Sequence, residues 1–228
     1  LVVVNDAGDP PWAHLAHIDD PRLHRVDLPV NRGPAWARQA VLAATTTPWW
    51  ATVDADDWID PTMYERLLDA ATGHDGAMCG RVNHPLRGRP TATPPKRDNV
   101  ALGRHVASHA SAIWSTALLH RIGGYAPDRR IGDDSRLVYG ALHAGDIAII
   151  DDCLYHYVGR RGSLTSARDT RSGTPARRRS GAERRHLQTL MAASPPDTWA
   201  ELIAPADPAA FAVDVDLVAT TLGADHAT

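Results

Sequence analysis

Residues 49 to 61 constrain the fold of this chain more than any other stretch. Trp49-Trp50-Ala51-Thr52-Val53 is a short apolar run of strand formers that breaks directly into Asp54-Ala55-Asp56-Asp57-Trp58-Ile59-Asp60-Pro61. Beyond Pro61, which suits a first helical turn, Met63, Leu67, Leu68 and Ala71 recur at helical spacing. A buried strand giving way to an acidic loop and then to a helix predicts an open α/β sheet. In such sheets ligands bind outside the carboxyl ends of the strands. Asp54 and Asp56 are two apart, so an extended backbone projects both carboxylates to one side. Four acids within seven residues repel one another unless a cation or hydrogen-bond donors neutralise them. Hard oxygen donors of this kind suit Mg²⁺ or Mn²⁺ shared with a substrate's phosphates. The alternative is a solvated acidic turn with Asp60 as N-cap of the following helix.

The flanking segments agree with an α/β chain. Leu1-Val2-Val3-Val4 has the continuous apolar character of a strand buried on both faces, and it ends in the turn formers Asn5-Asp6-Ala7-Gly8-Asp9-Pro10-Pro11. A second strand is predicted over 24–28. Asn31-Arg32-Gly33-Pro34 then opens an alanine-rich helix over 35–44 with Arg38 about one turn in. That arginine is either solvated or turned back over the helix N-terminus toward an anion. Further strands are predicted over 77–84, 147–150 and 153–158, and further helices over 111–122, 135–144, 183–193 and 211–222. Residues 85–99, rich in Pro, Arg and Thr, read as a long loop.

A chain of 228 residues accommodates one packed domain plus an appendage. A net charge of −3 gives no overall pull toward nucleic acid or an anionic membrane, and no nucleic-acid partner is expected. Locally the balance differs, with nine arginines from Arg160 to Arg185 against only Asp169 and Glu183. That stretch reads as a flexible basic loop, either a lid over an anionic ligand or a linker. Cys79 and Cys153 form no recognisable metal pair or disulfide framework, which favours a reducing cytoplasm, with peripheral attachment to a membrane left open. No run approaches transmembrane length and no signal peptide is visible. The chain starts on a strand without an initiator methionine, so an upstream piece is expected.

The order of motifs is distinctive: a strand into Asp6-Ala7-Gly8-Asp9, Asn31-Arg32-Gly33 before the Arg38 helix, Asp54-Ala55-Asp56-Asp57, Gly123-Gly124-Tyr125, Gly132-Asp133-Asp134, and Tyr155-His156-Tyr157 with Ser163-Leu164-Thr165. This series resembles the family-2 glycosyltransferases of the GT-A fold over residues 1 to about 166. The resemblance implies a Rossmann-like, mostly parallel sheet flanked by helices (residues 1–166); outside it, residues 167–228 read from their composition as a basic loop and C-terminal helical extension. It implies inverting transfer from a nucleotide-sugar donor, a UDP-sugar foremost, to a glycan, lipid-linked or small-molecule acceptor. Carried over by residue, Asp6 contacts the nucleobase with Arg38 beside it, and Gly33 lets the loop approach the nucleotide. Asp54 faces the ribose and Asp56 holds Mn²⁺ or Mg²⁺ at the diphosphate, with Asp54 as a further candidate ligand. Asp134 is the general base, with Asp133 beside it.

Departures from the family pattern shape these expectations. Asp133 stands where the family usually has Glu, and Arg160 where it usually has the His that completes the metal shell. His156 lies on the same strand face as residue 160 by period-two spacing and is the candidate replacement ligand. The family's first strand and helix are absent. A sugar-1-phosphate nucleotidyltransferase is the rival enzyme, and a binding relative without turnover is the rival that is not an enzyme. The former calls for a Gly-x-Gly-Thr-Arg loop near the start, where an upstream piece is expected; none is visible in these residues.

Overall fold

A computed structural model describes residues 1–95, 108–128, 132–161 and 173–224. Strands β1 (Val2–Asp6) and β2 (His24–Leu28) pair in parallel as a separate two-stranded sheet. A short helix, α1 (Trp12–Leu15), lies between them, and α2 (Pro34–Ala44) follows with Pro34 at its start. Among the described residues the main sheet has six strands. Its path runs β3 (Trp49–Ala51), β7 (Ala112–Ser115), β5 (Gly76–His84), β8 (Ile147–Val158) and β4 (Trp58–Ile59), while β6 (Thr91–Thr93) pairs with β5.

The main sheet is mixed, which corrects the expectation of a mostly parallel one. Among the described residues of this sheet only β5 and β8 pair in parallel; the other pairings are antiparallel. Two of the antiparallel pairings come from β7, which was expected to be the start of a helix over 111–122. Ala112, Ile113 and Trp114 are buried, so the strand shows no polar alternation to betray it. The Ser115 hydroxyl then accepts from Leu118 N at 3.3 Å and starts α4 (Thr116–Arg121) at once. The two strands expected over 147–158 are one continuous strand of 12 residues.

Alternation on β5 divides the interior. Met78 faces a core that includes Trp36, Leu42, Trp114, Leu118 and Leu137, whereas Ala77 and Cys79 face Met63, Leu67, Ile113 and Tyr155. Helix α3 (Met63–Ala70) covers the second face with Met63 and Leu67, both fully buried. Its N-cap is Thr62, not Asp60. The Asp60 carboxylate instead accepts from Thr62 N and Oγ1 at 2.9 and 2.7 Å, one step ahead of the helix.

Helix α5 (Asp133–Ala144) starts from Gly132, and α6 (Pro175–Ala192) starts well before the expected Glu183. Thr174 Oγ1 accepts from Arg177 N, Pro175 takes the first turn, and Leu187 and Met191 supply a buried face. Arginine is a good helix former, so residues 175–185 are helical where a basic loop was expected. Residues 162–172, which hold the rest of that stretch and Ser163-Leu164-Thr165, lie outside the described residues, as do 96–99 of the long loop. The last helix, α7 (Pro208–Ala224), packs on α2 and β2. Phe211 meets the Trp36 ring edge-on with centroids 5.1 Å apart, and the Trp36 indole donates to Asp214 Oδ2 at 2.8 Å.

Candidate active site

The end of β1 is tied to the start of α2 by Asp6. Its carboxylate accepts from Arg32 N at 3.0 Å and Gly33 N at 2.7 Å, so this acid holds the turn that the glycine makes. Gly33 has φ +94°, a conformation that a side chain would strain. From the first turns of α2, Arg38 reaches back toward the acidic segment, where its Nη2 lies 2.6 Å from Asp54 Oδ1. Its Nη1 lies 3.6 Å from Asp133 Oδ2. Burial works against the guanidinium charge, but the surrounding carboxylates more than offset it and the Arg38 pKa lies above its usual value.

The acidic segment is a turn, not an extended run. Asp57 N donates to Asp54 O at 2.9 Å, so Asp54 and Asp56 are not projected together to one side as an extended backbone would have them. Each acid meets a different partner. Asp54 pairs with Arg38, and Asp56 with the Arg160 guanidinium. Asp57 accepts from Tyr155 Oη at 2.5 Å and from Val158 N at 2.7 Å. Burial pushes the Asp57 carboxyl up, while those two donors pull it down. Because β3 and β4 stand at opposite ends of the sheet path, the turn between them crosses over β8, and Tyr155 and Val158 clamp it there.

Gly132, at φ +83°, turns the chain so that Asp133 and Asp134 occupy the first turn of α5. Asp133 is buried at 5% exposure, and its pKa is pushed up to about 6, by burial first and by Asp134 second, against the pull of Arg38. Asp134 is half-buried and accepts from Ser135 N at 2.7 Å. One residue further on, the fully buried Arg136 donates to the carbonyls of Ile122 and Gly124. Gln39 holds the same Gly-Gly-Tyr segment from α2, accepting from Tyr125 N at 2.7 Å and donating to Gly123 O at 3.2 Å. Arg136, Gln39, Asp57 and Tyr155 were not expected as site residues. Only Asp57 and Tyr155 had a signal, lying inside motifs already noted.

Arg38 thus brings Asp54 and Asp133 together, and Asp6 stands at the entrance to the same helix. His156 is placed differently. Its ring stacks on Trp58 with centroids 3.4 Å apart and planes 7° apart, and its Nδ1 meets His84 Nε2 at 2.9 Å. Burial and His84 lower the His156 pKa. Among the described residues no group of three His, Cys, Asp or Glu side chains could hold a metal ion, so Asp54, Asp56 and His156 do not make such a set.

Arg38 and Asp6 thus tie the acidic turn, the acid pair of α5 and the loop before α2 to one another. Residues 1–131, more than half of the chain, match the family model described as Glycosyl transferase family 2. The chain belongs to that family. The matched span includes Asp6, Gly33, Arg38, Asp54 and Asp56, and ends before Asp133. The succinoglycan biosynthesis protein ExoO of Rhizobium meliloti (strain 1021) is 39% identical over 72 residues, 31% of this chain and 21% of that protein. Mannosyltransferase PcManGT from Pyrobaculum calidifontis, solved in complex with GDP-Man and Mn²⁺, superposes with a TM-score of 0.50 at 22% identity, covering 100% of this chain and 66% of that one. That likeness shows a GT-A fold. The chain therefore spans about a fifth of the curated relative and about two thirds of the solved neighbour.

Proposed function

We propose that this chain transfers a glycosyl group, with inversion, from a nucleotide-diphosphate sugar to an acceptor hydroxyl. The observation that carries this reading is the Arg38 bridge, which joins the acid expected to face the donor's ribose, Asp54, to the acid pair at the start of α5. Asp6 and Gly33 shape the loop that receives the nucleobase. A UDP-sugar is the first donor to test, and a GDP-sugar follows because the mannosyltransferase neighbour carries GDP-Man.

Asp134 takes the proton of the acceptor hydroxyl, since it is the more accessible of the pair and sits at a helix N-terminus that favours its carboxylate. The acceptor oxygen attacks the anomeric carbon as the bond to the diphosphate breaks on the opposite side. Asp133, behind it, keeps Arg38 turned toward Asp54. A divalent cation would be held by Asp56 together with phosphate oxygens and water, since one hard carboxylate suits a shared Mn²⁺ or Mg²⁺ but not a preformed cage. Bound there, it would neutralise the leaving diphosphate.

One contact favours a second reading, a nucleotide-binding relative without turnover: Arg160 already neutralises Asp56. Assays of UDP-, GDP- and dTDP-sugar turnover with and without Mn²⁺ separate the two. Metal-dependent consumption of one donor, reduced about a hundredfold in kcat by Asp134→Asn with donor affinity kept, supports transfer. Tight binding of nucleotide without consumption of any donor supports the second reading.

A further inference from the structure

Strands β5 and β8 run side by side to the same end, where His84 pairs with Val158 and Gly159 N donates to His84 O at 2.8 Å. The segments leaving them remain in contact, since a Cβ on Gly159 would lie 3.4 Å from Leu86 N. The β5 segment exposes Leu86 (59%), Arg87 and Arg89, and the β8 segment exposes Arg160 and Arg161. Trp58, 49% exposed, joins them from β4, its ring 5.6 Å from that of His84 and stacked on His156. The nearby carboxylates are engaged: Asp56 with Arg160, Asp57 with Tyr155 and Val158, and Asp60 with Thr62. Asp57 and Asp60 keep their charges but are half-buried, whereas Arg87, Arg89 and Arg161 are exposed, so the exposed charges at this end are cationic on a chain whose net charge is −3.

We propose that this end of the sheet docks the chain on an anionic lipid surface, with Trp58 and Leu86 entering the headgroup layer and Arg87, Arg89 and Arg161 facing the lipid phosphates. An exposed indole and an exposed leucine among arginines match what an interface between hydrocarbon and headgroups accepts, the ring at headgroup depth and guanidinium groups against phosphate. A purely soluble anion would use the arginines but leave Trp58 and Leu86 without purpose. Arg160 links the surface to the acidic turn through Asp56, so a membrane-held acceptor would arrive beside the proposed donor site. The surface itself stands without the transferase reading; only that use of it rests on the reading.

The test is co-sedimentation of the full chain with phosphatidylcholine vesicles and with vesicles containing added phosphatidylglycerol. Binding is expected on the anionic vesicles alone and should weaken as salt is raised. Arg87→Gln/Arg89→Gln should weaken partitioning about twenty-fivefold, since each basic residue near an anionic surface contributes about fivefold. Brominated acyl chains should quench the wild-type fluorescence more than that of Trp58→Phe. Equal binding to both vesicle types, no binding to either, or a double variant that partitions like wild type overturns the proposal. So does release by inorganic phosphate at the lipid phosphate concentration, which would assign the arginines to a soluble anion. Nucleotide binding, measured separately, reports on the transferase reading and is expected to be unchanged in Arg87→Gln/Arg89→Gln.

Discussion

Arg38 and Asp54, 16 residues apart in sequence, meet at 2.6 Å between the second helix and the acidic turn. The same guanidinium lies 3.6 Å from Asp133, on a helix almost a hundred residues further along. One side chain therefore fixes the distance between two acids that come from different parts of the chain. Without it, Asp54 and Asp133 would face each other with like charge in a partly desolvated space.

Arg38→Met is expected to lower stability by about 3 kcal/mol, because removing one partner leaves carboxylates without compensation. Arg38→Lys should recover only part of this, since a single ammonium cannot span both acids as a fork does. Urea titration of the three proteins checks the order. A midpoint for Arg38→Met equal to wild type would mean that the pair contributes nothing.

Asp133 gives a prediction in pH. Its folded pKa of about 6 lies above the ordinary 3.8 of an aspartate, so the folded state binds its proton more tightly than the unfolded chain does. The stability this contributes is fully present below pH 3.8 and is lost as the pH rises through about 6. A shift of this size corresponds to at most about 3 kcal/mol. Asp133→Asn should flatten the pH dependence of unfolding in that window and be no less stable than wild type at neutral pH. An unchanged profile across the window would refute the assignment.

The Tyr155–Asp57 contact anchors the acidic turn. Tyr155→Phe is expected to cost about 1–2 kcal/mol, because a half-buried carboxylate loses a donor. It should also weaken nucleotide–metal binding by loosening Asp54 and Asp56, though it touches neither carboxylate. Calorimetry of UDP with Mn²⁺ on the variant checks this. In a double-mutant cycle with Asp57→Ala the two losses should not add. Simple additivity would show that the contact is incidental.

Asp214 makes the last helix part of the same packing problem. It is 2% exposed, accepts the Trp36 indole N–H and lies 3.8 Å from Arg32 Nε. Asp214→Ala should destabilise by about 1–3 kcal/mol through the unsatisfied indole and guanidinium. Removing residues after Asp207 would uncover Trp36 and the α2–β2 face that α7 packs against, and should abolish cooperative melting. Calorimetric scans that show a normal transition in the truncated chain would contradict this.

Local signals carried much of the architecture. The strands begun by the apolar runs at 1–4 and 49–53, the Pro34 and alanine pattern of α2, and the helical spacing after Pro61 arise from short-range sterics, so they were legible from residues alone. The expected burial of the first strand on both faces was not met, since β1 is half-buried in a two-stranded sheet and Leu1 is exposed. The acidic segment was legible as a loop but not as the turn it makes, and Gly132-Asp133-Asp134 as the approach to a helix but not as its first turn. The contacts that fix both come from distant residues such as Arg38, Tyr155 and Val158. Strand β7 was not legible, since a strand buried on both faces has the apolar content of a buried helix. The helical character of residues 175–185 was missed because arginines among Ser, Gly and Pro look like a solvated loop until Leu187 and Met191 find a core.

Which acid meets which base could not be read from the chain. The sequence alone determined that Asp54, Asp56, Asp57, Asp133 and Asp134 would need counter-charges or donors, since like charges at that spacing repel whatever the fold. Only the tertiary structure decided that Arg38 serves Asp54 and Asp133, that Arg160 serves Asp56, and that Tyr155 serves Asp57. Those pairings depend on how a turn crosses a mixed sheet and where two helices end, and ion pairing falls off over a few ångströms that only packing sets.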